Sequence, residues 1–349
     1  MRIAVDCRFA VSPHGLGRYT RELVSELVRL GGAEYHLIVR SGDHSWIPRD
    51  RCTVSILDVA HYTIREQFAL PRLLRRLQPD LLFATHFNIP FFCPVPCVVT
   101  IHDLILHRFP NDASSIKQFI YRRMMKRAVR ASRSIIAVST FVRNELSQTY
   151  GKSIGSKVTV IAEGVNPLFH PRDEEECRTI REKYGLHRPF FLYVGSLKQH
   201  KNIPLLVRAF LSSKTADELV LVTGGKELEH SPLPSHPQLR VLTNVSDDAL
   251  PALYSSARAF VSASLYEGFG LPIAEALACG CPVIAANCTA IPETAHGHAM
   301  LLEPTVQAFS QAFRNPPDRS EAFVAGTWEA AAAKTQQVLF QNHPPRAQA

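Results

Sequence analysis

The chain has 349 residues, of which 46% are hydrophobic and 20% are charged, and its formal net charge is +8. This length suits two domains, and the composition is normal for a soluble globular protein. No apolar run is long enough to cross a bilayer. The positive balance favours an anionic partner, such as a nucleotide or a membrane surface, without choosing between them.

The N-terminal sequence, MRIAVDCRFA, lacks the apolar region of a signal peptide and is typical of a first strand. We therefore expect the protein in the cytoplasm. The eight cysteines form neither a Cys-x-x-Cys pair nor a Cys/His zinc pattern. We interpret them as reduced, small core residues and predict no metal site.

Short β-rich segments alternate with helical patterns in the first half of the chain. Continuous apolar strands between helices indicate a parallel sheet that is covered on both faces. The clearest helical patterns cover 17–30 and 116–131. The predicted strands are 2–7, 35–39, 53–59, 80–85, 97–103, 134–139 and 157–164.

The second half repeats this organisation after a break at GVNPLFHPRDEEE (164–176), which is typical of a linker leading into a capped helix. We predict an α/β protein of two facing Rossmann-like domains, 1–168 and 169–349, with ligands bound in the cleft between them at the carboxyl ends of the strands. The predicted strands of the second domain are 190–196, 218–224, 239–245, 258–264 and 282–287.

Two places in the first half carry candidate functional residues. Gly15 and Gly17 follow the first strand, but Thr20 occupies the third glycine position of a dinucleotide fingerprint, which disfavours a dehydrogenase. His102 and Asp103 end the strand of VVTIHD, where parallel sheets place ligand-binding residues.

The segment SLYEGFGLPIAEALACG (264–280) is the strongest functional signal in the second half. Gly268 and Gly270 allow the backbone to approach a ligand closely, and the helix that starts after them offers an anion site at its N-terminus. The carboxylates of Glu267 and Glu275 can accept hydrogen bonds from paired sugar hydroxyls. The segment therefore predicts a nucleotide-sugar site.

This segment, as E-G-F-G-L-P-x-x-E-A-x-A-C-G-x-P-V-I, resembles the retaining glycosyltransferases of family 4, which have the GT-B fold. Residues 190–210 resemble the family's strand–glycine–basic–Lys-Asn–helix segment, and residues 160–171 resemble its interdomain stretch. The resemblance covers most of residues 1–305 and so rests on more than one motif.

The resemblance implies roles for matching residues. Lys201 would contact the donor diphosphate, and Lys198 would supply charge because His200 stands where the family commonly has Arg. Glu275 would bind the ribose hydroxyls, and Glu267 the hydroxyls of the transferred sugar. The other implied donor-binding residues are Gly15, Gly17, Ser196, Gly268, Phe269, Gly270 and Leu271.

The resemblance also places His102 beside the transferred sugar, where it would position the sugar and polarise the site without being the only base. Asp103 would orient this histidine, so that His102, Asp103 and Glu267 are the predicted catalytic residues. No D-x-D motif occurs, and a site that uses Lys201 and a helix N-terminus needs no metal ion.

The helical pattern at 117–133 has a basic stripe that suits anionic lipid on the inner face of a membrane, which would make the protein a peripheral one. An ordinary helix with an inward apolar face and a solvated basic face fits the same pattern. The residues expected to contact the membrane are Arg122, Arg123, Lys126, Arg127 and Arg130.

The expected activity is transfer of a hexose, with retention, to a hydroxyl of a glycan or lipid-linked glycan. The preferred donor is GDP-mannose, because G-x-G-R-Y-T with T-I-H-D resembles a mannosyltransferase-like branch, and UDP-glucose stays open. The alternatives are a nucleotide-sugar epimerase on the same fold and a non-catalytic protein with a decayed site. Nucleic-acid binding rests on net charge alone and is not predicted.

Overall fold

The computed structural model describes residues 1–12, 15–110, 114–224, 228, 233–319 and 321–342. The chain divides into two compact units. Unit 1 comprises Met1–Gly164 together with the chain from Gly326 onward, and unit 2 comprises Val165–Ala325. The chain therefore leaves the first unit once and returns to it at its end.

Within the described part of unit 1, seven strands form one parallel sheet in the order β3-β2-β1-β4-β5-β6-β7. The order reverses between β1 and β4, and such a reversal is where open α/β sheets bind ligands. The strands are β1 (Arg2–Asp6), β2 (Glu34–Val39), β3 (Cys52–Ile56), β4 (Leu81–Ala84), β5 (Cys97–Ile101), β6 (Ser134–Ala137) and β7 (Val158–Val160).

The helices of unit 1 follow from amphipathic patterns and local caps. In the first of them, Leu23, Val24 and Leu27 lie on the buried face. The second tolerates Pro71 and is capped by Thr63, whose hydroxyl accepts a hydrogen bond from the backbone N–H of Glu66. These helices are α1 (Gly15–Leu30), α2 (Ile64–Leu77), α3 (Ile105–Arg108), α4 (Ser115–Ala131) and α5 (Thr140–Tyr150).

Unit 2 repeats the topology with six parallel strands, counted over its described residues, in the order β10-β9-β8-β11-β12-β13. The order reverses between β8 and β11. The strands are β8 (Phe190–Val194), β9 (Glu218–Val222), β10 (Leu239–Leu242), β11 (Ala259–Ser262), β12 (Val283–Ala286) and β13 (Met300–Leu302).

The helices of unit 2 include the predicted capped helix after the break. Its cap is a reciprocal capping box, in which Asp173 and Glu176 each accept from the other's backbone N–H. The helices are α6 (Glu174–Lys183), α7 (Ile203–Ser213), α8 (Leu250–Ser256), α9 (Leu271–Ala278), α10 (Ile291–Ala295) and α11 (Val306–Arg314).

The last helix, α12 (Trp328–Gln341), belongs to unit 1 and packs on α1. The Gln336 amide donates to the Gly31 carbonyl at 2.6 Å. A Cβ atom on Gly164 would lie only 2.1 Å from the backbone nitrogen of Trp328. The segment that leaves unit 1 and the segment that returns to it therefore touch at a position where only glycine fits.

The predicted α/β architecture of two Rossmann-like domains with parallel sheets is confirmed. Each predicted strand is present, although most are shorter than predicted because the polar residues at their carboxyl ends belong to turns. Strand β13 was not predicted, because Met300–Leu302 is a three-residue run of half-buried side chains without a pattern of its own.

Candidate active site

A strand–turn–helix in unit 2 contains the predicted nucleotide-sugar segment. Strand β11 ends at Ser262, two residues before its predicted end, and α9 begins directly after the two glycines, as predicted, at Leu271 with Pro272 in its first turn. Gly270 precedes the helix with φ of 101°, a conformation that strains other residues. The segment therefore presents its turn and a helix N-terminus at the carboxyl end of β11.

Two hydrogen bonds from neighbouring elements fix this turn. The backbone N–H of Glu267 donates to the Thr289 hydroxyl at 2.9 Å, and the Thr294 hydroxyl donates to the Phe269 carbonyl at 2.6 Å. The turn is thus held from the loop after β12 and from α10. Such bracing preorganises the backbone for a ligand.

Lys201 and Glu267 form an ion pair in which Lys201 Nζ lies 2.6 Å from Glu267 Oε1. Lys201 ends a 3-10 turn, Gln199–Lys201, that follows β8, and Glu267 follows β11. Because β8 and β11 are neighbours where the strand order reverses, residues that follow them meet. The side chains are 18% and 16% exposed, so the pair keeps limited contact with solvent.

A pocket adjoins this pair. Its lining includes Lys201 and Glu267, which carry opposite charges, together with backbone near Gly195 and Gly270. The pocket combines a cation and a helix N-terminus, which suit a phosphate group, with a carboxylate, which suits sugar hydroxyls.

The second predicted glutamate, Glu275, is buried in α9 and only 2% exposed. The Tyr254 hydroxyl, from α8, donates to its Oε2 at 3.3 Å. Glu275 is not among the residues that line the pocket as the structure describes it. A contact between Glu275 and a ribose therefore stays a prediction.

The other predicted donor-binding residues differ in how deeply they are buried. Ser196 is half-buried, and its carbonyl accepts from the Tyr193 hydroxyl at 2.6 Å. Lys198 is exposed, whereas Gly268 is half-buried, and both Phe269 and Leu271 are buried. His200, which stands in the family's Arg position, is also buried.

In unit 1, His102 follows β5 and is held by both ring nitrogens. Nδ1 donates to Glu163 Oε1 at 3.2 Å, and Nε2 donates to the Thr85 carbonyl at 2.9 Å. A carboxylate and a carbonyl only accept, so this geometry favours the doubly protonated ring, in which both nitrogens donate. Burial alone would lower the pKa of His102, but the hydrogen bond and charge of Glu163 raise it.

His102 in this geometry has no nitrogen that can take a proton from an acceptor. In the doubly protonated state it is a fixed positive group, and the expectation that it is not the only base stays a prediction. The structure gives Asp103 no hydrogen bond to the His102 ring among those it describes, since Asp103 Oδ1 accepts from the backbone N–H of Ile105 at 3.0 Å, and the Asp103 charge contributes only to raising the pKa of His102. Glu163 and Thr85 orient the ring instead.

Sequence reasoning missed Glu163 because it lies 61 residues from His102. The only local signal is a polar residue that follows β7, at the end of VTVIAEG (158–164). The fold brings the two together because the carboxyl ends of parallel strands share one edge of the sheet.

The two glycines near the N-terminus differ in their surroundings. A Cβ atom on Gly17 would lie 1.9 Å from the Ser12 carbonyl oxygen, so glycine lets α1 contact the preceding turn. A Cβ atom on Gly15 would meet no atom within 4 Å. Pro13 and His14, from the same loop, lie outside the described residues.

Two further features are absent from the described residues. These residues contain no group of three or more His, Cys, Asp or Glu side chains arranged to hold a metal ion. No helix among them is long and apolar enough to span a bilayer.

The predicted basic stripe lies on α4. Its core-facing side includes Met124 and Ala128, and Arg127 Nε donates to the Phe91 carbonyl at 2.9 Å. Ile116 and Phe119, near the start of the helix, are exposed. The other four predicted membrane contacts are also exposed: Arg122, Arg123, Lys126 and Arg130.

Comparison with known families agrees with this geometry. The family model described as Glycosyltransferase Family 4 matches residues 13–168, and the one described as Glycosyl transferases group 1 matches residues 188–315. Together they match most of both units. The chain belongs to glycosyltransferase family 4. The matched ranges include His102 in the first unit and the Lys201–Glu267 pair in the second.

Two of the relatives are named as O-antigen chain mannosyltransferases. The chain is 30% identical over 218 residues to O-antigen chain mannosyltransferase B of Escherichia coli, covering 59% of this chain and 57% of that protein. It is 28% identical over 249 residues to O-antigen chain mannosyltransferase RfbU of Salmonella typhimurium, covering 70% and 66%. The chain thus spans less than two thirds of the length of these relatives.

Solved structures show the same GT-B fold. Sucrose-phosphate synthase from Thermosynechococcus elongatus superposes with a TM-score of 0.75 at 20% identity, covering 98% of each chain. HepE from Anabaena, in complex with UDP and glucose, superposes with a TM-score of 0.71 at 18% identity, covering 98% of this chain and 97% of that one.

Proposed function

We propose that this family 4 member is a glycosyltransferase that moves a hexose from a nucleoside diphosphate sugar to a hydroxyl of a glycan or lipid-linked glycan. The observation that carries the proposal is the Lys201–Glu267 pair beside the N-terminus of α9, where the strand order of a Rossmann-like unit reverses. A cation and a helix N-terminus suit a diphosphate, and a carboxylate suits sugar hydroxyls.

In the proposed reaction, the bond between the sugar C1 and the diphosphate oxygen breaks, and a bond forms between C1 and the acceptor oxygen. The acceptor's hydroxyl proton passes to the leaving phosphate on the same face, so the anomeric configuration is retained. Lys201 and the start of α9 stabilise the negative charge on the diphosphate. This assignment asks for no metal ion, and His102 positions the sugar as a fixed cation.

The preferred donor is GDP-mannose and the preferred setting is synthesis of a lipopolysaccharide or other surface polysaccharide. The names of the two bacterial O-antigen mannosyltransferases support mannose as the transferred sugar and support this setting. UDP-glucose is the alternative donor, supported by the complex of HepE with UDP and glucose.

Two alternatives stay open. A nucleotide-sugar epimerase on this fold would use the same donor groups without an acceptor. A non-catalytic protein would have a decayed site, and the 2.6 Å Lys201–Glu267 contact counts against it because decay would not keep both partners in place.

The test is to incubate the protein separately with GDP-mannose, UDP-glucose and ADP-glucose and to analyse the products by mass spectrometry. A transferase releases a nucleoside diphosphate, slowly with water as acceptor and faster with a glycan. An epimerase returns an isomeric nucleotide sugar and releases none. Chelation by EDTA should leave the rate unchanged, and a rate abolished by EDTA would overturn the metal-free assignment.

A matched pair of variants makes this assay specific to the site. Glu267→Gln removes the paired charge and should abolish diphosphate release. Glu182→Gln makes the same chemical change on an exposed residue of α6 and should leave the rate unchanged. Equal rates in both variants would contradict the proposal, and release of no diphosphate from any donor by the parent protein would favour a decayed site.

We also propose that α4 and its surroundings dock on an anionic membrane surface, where a lipid-linked acceptor would lie. The helix sequence has six basic residues and no acidic one. Beside it, Phe92 is 82% exposed, and Phe91 is joined to α4 through Arg127 and to α2 through the Gln67 side chain. Exposed aromatic groups beside cations suit a lipid interface.

Flotation of the protein with vesicles tests this surface. Binding to vesicles that contain phosphatidylglycerol should exceed binding to pure phosphatidylcholine, and Phe92→Ser should reduce it. Ile56→Ser, at an exposed apolar residue of β3, is the control and should have no effect. Equal flotation by both variants, or none by the parent protein, would contradict membrane docking.

A further inference from the structure

A second pocket, of about 600 Å³, lies in unit 1. Its walls are the second half of α4, the end of α5 and the 3-10 turn Lys152–Lys157 that follows α5. A volume of this size is typical of sites that bind small organic molecules. The pocket is therefore large enough for a ligand of its own.

The pocket lies at the amino ends of the strands of unit 1. Arg130 is in the last turn of α4, which leads into β6, and Lys157 directly precedes β7. His102 and Glu163 lie beyond the carboxyl ends of β5 and β7, at the opposite edge of the same sheet. No residue assigned to the transfer reaction lines this pocket.

The lining carries positive charge without a carboxylate. Lys126, Arg130 and Lys157 supply three cations, and neither Asp nor Glu is among the described lining residues. Over the part of the chain that the structure describes, no ion pair includes any of the three. Three neighbouring cations repel one another, so an anion among them would be attracted to all three.

Lys157 is the best fixed of these cations. Its half-buried ammonium donates to the carbonyls of Arg130 and Ser132, at 3.3 and 3.1 Å, where α4 ends. An ammonium has three N–H groups, so one is left for a ligand. Burial lowers the pKa of Lys157, and a bound anion would favour its charged form.

The rest of the lining suits an organic group attached to the anion. Val129 and Ile154 are apolar, and Thr149 and Ser153 carry hydroxyls that can donate or accept a hydrogen bond. An inorganic ion would contact the cations and leave the apolar lining unused. An ester, in which an organic group is joined to the anion, would use both parts.

We propose that this pocket binds a phosphate monoester, with its phosphate group held by Lys126, Arg130 and Lys157. The organic part lies against Val129 and Ile154. A phosphate monoester carries close to two negative charges and three terminal acceptor oxygens, which match three cationic donors better than a carboxylate does. The proposal does not rest on the transferase function, because the pocket shares no residue with the proposed reaction.

Isothermal titration calorimetry on the full chain tests the ligand class. The probes are sn-glycerol 3-phosphate and glucose 6-phosphate, with glycerol and glucose as the uncharged comparisons. An ester should bind about tenfold or more tightly than its uncharged parent, because charge-assisted hydrogen bonds hold the phosphate. Its affinity should fall as salt is added. An uncharged compound that binds as tightly as its ester would overturn the proposal.

A matched pair of double variants makes this measurement specific to the pocket. Lys126→Gln with Arg130→Gln removes two exposed cations four residues apart on α4 and should weaken ester binding about tenfold or more. Arg72→Gln with Arg76→Gln makes the same change of charge at two exposed positions of α2, with the same spacing, and should leave the affinity unchanged. Equal affinities in the two double variants would overturn the proposal.

Lys201→Met separates this pocket from the donor pocket of unit 2, which also offers a cation to a phosphate group. It should bind the ester like the parent protein. Binding lost in Lys201→Met and kept in Lys126→Gln with Arg130→Gln would place the ester in the donor pocket and overturn the proposal.

Two sources carry this chemistry, a soluble phosphate ester and the headgroup of a lipid that ends in a phosphate monoester. Flotation compares vesicles that contain phosphatidic acid with phosphatidylglycerol vesicles of equal surface charge. A preference for phosphatidic acid, lost in Lys126→Gln with Arg130→Gln, would support the pocket and assign the lipid source. Ester binding without that preference would support the pocket and assign the soluble source. Neither ester binding nor the preference would overturn the proposal.

Discussion

The ion pair of unit 2 and the ion cluster of unit 1 both lie where the order of a parallel sheet reverses, but they differ in construction. Lys201 and Glu267 pair one to one beside a pocket. Arg8 is enclosed between Asp6 and Glu66 without access to solvent. In the first arrangement, a charged ligand can replace one member of the ion pair as the partner of the other. The second is a buried ion cluster whose charges compensate one another.

The largest expected difference between the two regions is in stability. Arg8→Met should lower the free energy of unfolding by about 3–5 kcal/mol, because it leaves two buried carboxyl groups without their cation. Lys201→Met should cost less, about 1–3 kcal/mol, because it leaves one carboxyl group unpaired and that group stays partly exposed. Urea unfolding followed by circular dichroism measures the free energy of unfolding of each variant. Equal losses would mean that the two groups of charges contribute alike to stability.

Catalytic activity should depend more on the Lys201–Glu267 pair than on the cluster around Arg8. Lys201→Met removes the cation assigned to the diphosphate, and the rate of diphosphate release should fall about a hundredfold. Lys214→Met, at the end of α7, is a matched control that should leave the rate unchanged. Steady-state kinetics with the preferred donor measures the effect. A Lys201→Met protein with the parent rate would remove Lys201 from the proposed mechanism.

The buried glutamate of α9 offers a finer test of the donor site. Tyr254→Phe removes the hydroxyl that donates to Glu275, and unfolding should become easier by about 1 kcal/mol with nucleotide binding retained. Glu275→Ala should weaken nucleotide binding as well, if its carboxylate holds the ribose. Calorimetric titration with GDP and UDP compares the two variants. Equal affinity in both would confine Glu275 to a structural role.

The smallest expected effect is on the charge of His102. Glu163→Gln removes the charge that raises the pKa of His102, so this pKa should fall. In the parent protein, the ionised pair stabilises the fold fully below about pH 6.5, and that contribution is lost as the pH rises through the raised pKa. Histidine NMR titration, with His102→Gln to assign the resonance, measures the shift. An unchanged pKa would mean that Glu163 does not hold the imidazolium.

The same comparison shows what the sequence could reveal. The donor segment contains its turn, its helix start and both glutamates within residues 264–280, so a local pattern was sufficient to predict them. Lys201 was predicted from the family resemblance. The cluster around Arg8 draws on residues from 6 to 66, and no local pattern joins them. His102 was predicted from its place at a strand end, but its partner Glu163 was not. Long-range pairing of polar groups was therefore the part that required the fold.

Stabilisation of the whole protein by nucleoside diphosphates tests the central claim most directly, because a ligand that binds only the folded state raises the melting temperature. GDP, UDP, ADP and TDP would each be added to the parent protein, to Lys201→Met and to Lys214→Met. The account predicts a rise with one nucleotide, lost in Lys201→Met and kept in Lys214→Met. No rise with any nucleotide, or a rise that survives in Lys201→Met, would contradict it.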